Sequence, residues 1–191
     1  ALFEVVRARI PRLGRVEVQV KRGEYDNEVS RFRYDVVLHL DAAADATAPV
    51  VRQWSGEDAA GLRALVAETT QALLVRGVPD ARVSEHVRAL ELISSARRAA
   101  TAGEVRGLAD AGAGEGIQPE ALFALGEEIG RATEVRPGAA GTLDVLFHPA
   151  GDVARLPAEV DAERPWEAYA NDPQWGRRMR ALVPALREAA R

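Results

Sequence analysis

Two runs of strict alternation constrain this chain more than any other feature. In 15–21, "RVEVQVK", Val16, Val18 and Val20 fall on one side, and Glu17, Gln19 and Lys21 on the other. In 32–40, Phe32, Tyr34, Val36, Leu38 and Leu40 share one side, while Val37 interrupts the polar one. A period of two is the signature of a strand with one face buried. The short stretch between the runs permits an antiparallel hairpin with a longish loop. Val37 points to a central place for the second strand. A sheet seeded by a hairpin excludes an all-helical fold.

The following segments alternate between helix and strand signals. "DAAADATAP" at 41–49 reads as an Ala-rich linker. After Trp54, Ser55 and Asp58 stand at capping spacing before a stripe of Leu62, Leu65, Val66 and Thr69. "ALLVRGVP" at 72–79 is short, apolar and closed by Gly and Pro, as a buried strand is. Val83, Val87, Leu90 and Ile93 give the next helix its buried face, and Thr101 with Glu104 forms a second capping box. Pro119 and Gly130 bracket a helix whose core side is Leu122, Leu125 and Ile129. "TEVRP" and "TLDVLFHP" read as closing strands. The expected fold is α/β: one mixed sheet with an antiparallel hairpin, flanking helices, and an extended carboxy-terminal tail ending in a helix. Val36, Leu38, Leu90, Leu125 and Val145 are expected in the core. From 149 onward prolines at 149, 157, 165 and 173 mark an extended tail or linker, followed by a helix from Asp172 with a kink at Pro184.

Composition narrows the function classes. The chain has 191 residues, no cysteine and a net charge of −4. Thiolate chemistry and disulfides are therefore excluded, and no basic footprint for nucleic acid exists. No apolar run is long enough for a membrane span and no signal peptide opens the chain, so a cytoplasmic location is expected. The opening "ALFEVVRARIP" starts inside a helical pattern, with Leu2, Phe3, Val6 and Ile10 on one face and Pro11 as its stop. It reads as the start of a piece of something longer.

Little of the sequence suggests an autonomous active site. The Gly-rich "GAGEG" at 112–116 follows a helix, whereas a phosphate cradle lies between a strand and a helix. His39, His86 and His148 lack metal-ligand spacing. His39 lies on the strand face away from the core, within reach of a site, though a sheet-surface role is the favoured explanation. Glu127 and Glu128 read as a solvated helix face. No metal ligand and no catalytic residue is assigned. The hairpin loop is richer: Asn27, Glu28, Ser30, Arg31, Arg33 and Tyr34 place an amide, a carboxylate, hydroxyls and two guanidiniums within eight residues. Such groups can orient an amine or carboxylate by charge-assisted hydrogen bonds, or pair across strands as an ordinary solvated turn.

The same stretch carries a resemblance. "RVEVQVKRGEYDNEVSRFRYDVVLHL" resembles the carboxy-terminal part of the methyltransferase domains embedded in nonribosomal peptide synthetase adenylation domains. In that family a strand and Lys-Arg-Gly lead into Asn-Glu-Leu-Thr-Arg-Phe-Arg-Tyr. Asn27, Glu28, Arg31, Phe32, Arg33 and Tyr34 match, with Val29 and Ser30 in place of Leu and Thr. "ALFEVVRARIPRLGRVEVQ" is similar to the family's helix before this hairpin. "RGVPDARV", with Asp80 for Asn, and "GIQPEALFALGEEIG" followed by "TLDVLF" resemble its later segments. "YANDPQWGRRMRALVPALREAAR" resembles the return to the adenylation subdomain.

The resemblance implies that residues 1–148 form the carboxy-terminal portion of such a domain, with its last helix, closing hairpin and α/β lid. Residues 149–191 would lead back towards the adenylation domain. It implies Asn27, Glu28, Arg31, Arg33 and Tyr34 as substrate-side residues for carrier-bound aminoacyl groups. The adenylation domain and peptidyl carrier protein would be partners, with no nucleic acid and no membrane. S-adenosylmethionine would belong to the complete domain, and this chain alone is expected to bind no cofactor and to turn nothing over. Two alternatives stand beside this reading: a noncatalytic methyltransferase remnant that packs or docks, and an epimerase-like insertion. An association surface is expected where the hairpin leaves apolar area uncovered.

Overall fold

The structure is a computed structural model that describes residues 2–41, 48–94, 101–111 and 114–151. The expected tail, its final helix and the Pro184 kink lie outside the described residues. Helix α1 (Leu2–Arg9) belongs to a unit separate from the one spanning Pro11–Pro157, which carries both sheets.

The alternating runs form β1 (Leu13–Val20) and β2 (Tyr34–Leu40), an antiparallel pair with Val16 opposite Leu38, Val18 opposite Val36 and Val20 opposite Tyr34. Residues directly opposite share a face, so these valines, Leu38 and Tyr34 make one apolar side. Arg15, Glu17, Gln19, Asp35, Val37 and His39 make the other.

The expected α/β fold is observed, with a mixed sheet, an antiparallel hairpin and flanking helices, but the ladders divide into two sheets where one was expected. The hairpin is a two-stranded sheet, and a four-stranded sheet has the order β3-β4-β6-β5. Its strands are β3 (Val50–Gln53), β4 (Leu73–Pro79), β5 (Arg131–Pro137) and β6 (Thr142–Pro149). β3 pairs parallel with β4, and β6 lies antiparallel between β4 and β5. β3 follows the stretch expected as a linker at 41–49, and at four residues it is too short to show a period.

α3 (Ala59–Glu68) joins β3 to β4, starting at the N-cap Asp58, whose carboxylate accepts from Gly61 N at 2.8 Å. Ser55 takes no part in this cap and hydrogen-bonds Glu57 instead. α4 (Ser84–Ser94) and α5 (Ala102–Asp110) pack together, and Thr101 and Glu104 cap α5 reciprocally as expected. α6 (Pro119–Glu128) begins on Pro119 and stops at Gly130, whose φ of 71° favours glycine.

The main core lies on one face of the four-stranded sheet. Leu73, Val75, Val135, Val145 and Phe147 meet Leu62 and Val66 of α3 and Leu122, Phe123 and Leu125 of α6. Leu125 and Val145 are buried as expected and Val36 is half-buried. Leu38 and Leu90 are not: they are 48% and 64% exposed. α4 packs through Val83 and Val87, which are half-buried, and leaves Leu90 and Ile93 in solvent. β2 is also not central, because β1 is its one ladder partner among the described residues. Val37 is 44% exposed, so an apolar residue on the polar side marks an uncovered strand here.

Candidate functional site

Residues 21–33 form the loop between β1 and β2, and two arginines fix where it starts. Arg82 is buried with Asp80, whose carboxylate accepts from the Arg82 backbone N at 2.9 Å and its guanidinium at 3.4 Å. Arg82 Nη1 then donates to Lys21 O at 3.0 Å. Arg22 sits over the Phe123 ring, its Cζ 4.0 Å from the centroid, and donates to Glu120 Oε1 at 2.5 Å and Glu127 Oε1 at 3.4 Å. Gly23 N adds a bond to Glu120 Oε2 at 2.8 Å. These contacts hold the Glu120 carboxyl below its usual range, the hydrogen bond from Arg22 being the main cause. The loop entrance is therefore fastened to α6 and to the β4–α4 turn.

Beyond Gly23 the chain makes a short helix, α2 (Glu28–Phe32), where an open turn was expected. The cause is local. Asn27 Oδ1 accepts from Val29 N at 2.9 Å and Ser30 N at 3.2 Å, and Ser30 Oγ accepts from Asn27 N at 3.1 Å. That reciprocal pattern is a capping box with serine in the glutamate's place. Ser30, 5% exposed, is the one buried residue of α2. Arg31 pairs with Asp26 at 2.7 Å and lowers that carboxyl's pKa.

The five sequence-predicted residues thus separate into two groups. Asn27 and Arg31 spend their polar groups on the loop's own structure. Glu28 and Arg33 are exposed and make no ion pair among the described residues, and Tyr34 is 47% exposed at the start of β2. Around them Tyr25, Val29 and Phe32 are exposed, with Phe32 edge-on to His86 at 5.0 Å. The result is an anchored surface that exposes the Glu28 carboxylate, the Arg33 guanidinium and the rings of Tyr25 and Phe32. It can present charge and stacking area to a ligand or a partner protein. Arg22 and Glu120 were missed as its anchors, because a contact across 98 positions leaves no trace in local pattern.

Among the described residues, no group of three or more His, Asp or Glu side chains is arranged to hold a metal ion. No described helix is long and apolar enough to cross a membrane. The described glycines of 112–116 lie between α5 and α6, and a Cβ on Gly116 would stand 2.5 Å from Pro79 O. That glycine serves close packing against the end of β4.

No protein-family model matches the chain. Over 83 residues, 44% of its length, it is 36% identical to a probable non-canonical nonribosomal peptide synthetase, CymA, of Salinispora arenicola (strain CNS-205). The matched stretch spans 1% of that protein. The similarity supports a relationship to nonribosomal peptide synthetases.

Proposed function

We propose that this chain is the substrate-side, lid-bearing part of an S-adenosylmethionine-dependent methyltransferase embedded in a nonribosomal peptide synthetase, acting on carrier-bound aminoacyl groups. The observation that carries the reading is the anchored loop 21–33. Its entrance is fixed by Arg22–Glu120 and Arg82–Lys21, while the Glu28 carboxylate and the Arg33 guanidinium are exposed without an ion pair among the described residues, as a substrate-positioning wall needs. The relationship to a synthetase and the resemblance of the Asn27–Tyr34 motif support it. Asn27 and Arg31 act as positioning residues that shape α2, and Glu28, Arg33 and Tyr34 face the aminoacyl group or its carrier.

The described residues do not fit S-adenosylmethionine themselves. A nucleotide-like cofactor is held by a glycine-rich turn from strand to helix and an acidic partner for its ribose, and Gly114 and Gly116 lie between helices. The cofactor belongs to the remainder of the complete domain. Adenylation and carrier domains are the partners, in the cytoplasm.

The test is methyl transfer onto a carrier-bound aminoacyl group in a complete synthetase module. Glu28→Ala and Arg33→Ala are expected to slow it more than tenfold while leaving the urea midpoint unchanged. Wild-type rates in both refute the reading. A second reading, a noncatalytic docking element, is favoured by one observation: Leu38 and Leu40 of β2 are 48% and 58% exposed. Under it, both variants methylate normally and charge reversal in the loop weakens domain association.

A further inference from the structure

The polar side of β2 carries a pattern that neither the core nor the loop uses. Arg33 is extended at the end of α2 and leads directly into the strand. Asp35, Val37, His39 and the closing Asp41 follow on the same side. Read along the chain, that side runs cation, carboxylate, valine, imidazole, carboxylate. The other side, Tyr34, Val36, Leu38 and Leu40, is apolar throughout. Val37 is 44% exposed, and Arg33, Asp35 and Asp41 are exposed beside it.

The outer edge of β2 has no ladder partner among the described residues. Asp41 N donates to Arg12 O at 2.7 Å, towards β1. Backbone groups of successive strand residues turn to alternate edges, so Val36, Leu38 and Leu40 turn theirs outward. Proline and bulges ordinarily block such an edge, but β2 has no proline and the register shift between Leu13 and Arg15 lies on β1.

A second copy of the strand, antiparallel about a two-fold axis at Val37, fits this edge. Val37 then meets Val37 of the second copy, Asp35 meets its His39, and Arg33 meets its Asp41. Residues directly opposite are in contact, so opposite charges there stabilise and like charges repel. Other registers fail on the same count. Centred on Leu38, the pairing sets Asp35 against Asp41; centred on Val36, it sets Arg33 against His39 and Asp35 against Val37. A one-residue slip sets each apolar side against a polar one. Within one copy Asp41 holds Arg12 and Asp35 holds Lys21, and a carboxylate accepts from more than one donor.

We propose that β2 pairs with β2 of a second copy of this chain, antiparallel about Val37, giving a continuous sheet in the order β1-β2-β2-β1. The contact uses the same surface on both copies, so it closes at a dimer. Two short strands bury a modest area, so association is reversible and depends on concentration. Arg33 and Tyr34 lie at the paired edge, so pairing competes with any substrate contact made through them.

The test is sedimentation velocity of the 191-residue protein over a wide range of concentration. The mass is expected to move from monomer to dimer as concentration rises. Val37→Lys sets two ammonium groups together at the axis and should raise the dissociation constant by about tenfold or more. Its urea midpoint should stay unchanged, because Val37 is already exposed. Arg33→Glu and Asp41→Lys should each dissociate the dimer, and an equimolar mixture of the two should restore it, since each substituted position then meets the opposite charge. Should a charged variant fail to fold, cross-linking decides. The chain has no cysteine, so Val37→Cys carries a single thiol. Paired across the axis its Cα atoms stand about 4.5 Å apart, within disulfide reach. Oxidation should link Val37→Cys and leave Asp35→Cys, whose copies lie on opposite sides of the axis, unlinked. A monomer at every concentration, as when the edge takes a strand of a different protein, overturns the proposal. So does a dimer that Val37→Lys leaves intact, or equal cross-linking at both positions.

Discussion

Leu38→Ala separates the observed hairpin from the one expected from the alternating pattern. A leucine sealed in a core costs about 2–5 kcal/mol when truncated, because transfer energy and a residual cavity add. Leu38 is 48% exposed, opposite Val16 on the open apolar side of the hairpin. Fully burying a leucine is worth about 1.5–3 kcal/mol, so roughly half of that, about 1 kcal/mol, is at stake here. No cavity forms beside open solvent. Leu143 on β6, 1% exposed in the main core, is the matched control and should lose about 2–5 kcal/mol. Urea denaturation of both variants at pH 7 gives the two values from midpoint shifts at a common slope. A Leu38→Ala cost equal to that of Leu143→Ala would refute the open-sided hairpin. In a complete synthetase module the same substitution should cost more than in the isolated chain, if a neighbouring domain covers β2.

Four further outcomes follow from local geometry. Gly107→Ala on α5, where a Cβ meets nothing within 4 Å, should stabilise by about 0.5–1 kcal/mol. Gly126→Ala on α6 puts a Cβ 1.7 Å from Thr133 Oγ1 and 3.0 Å from Arg131 O, so it should destabilise by about 1–3 kcal/mol in thermal melts. Asn27→Ala removes the α2 cap and should cost about 1 kcal/mol, with the loss confined to exchange of amides 28–33; unchanged exchange there would show the cap to be idle. Glu120 titrates below its ordinary value in the folded state, so its contribution is present above the unfolded pKa of 4.5 and lost as pH falls through the folded value. Loop proteolysis should rise in that acid window in the wild type, and Glu120→Gln should abolish the step.

Much of the architecture was legible because it is governed by neighbours in sequence. Alternation at Val16, Val18 and Val20 marked β1, the apolar run closed by Gly77 and Pro79 marked β4, and Thr101 with Glu104 marked the start of α5. Each is a short-range rule: side chains two apart share a strand face, and a cap bonds amides two or three residues on. The density of polar groups from Asn27 to Tyr34 also singled out the loop. What the sequence left open was which surfaces meet. Leu38 and Leu90 carry the right period for a core yet face solvent, because periodicity names a common face and not whether anything packs on it. Asn27 read as a binding group, and the fold shows that its Oδ1 caps α2, since a side-chain amide serves backbone and ligand by the same bonds. Arg22 finds Glu120, and Arg15 bridges Glu17 and Glu134, across spans no local pattern records. Glu134 and His148 come within 3.7 Å of each other because β5 and β6 pair in one register. Only the tertiary structure decides such contacts, because burial and charge proximity depend on what the chain brings back from far away.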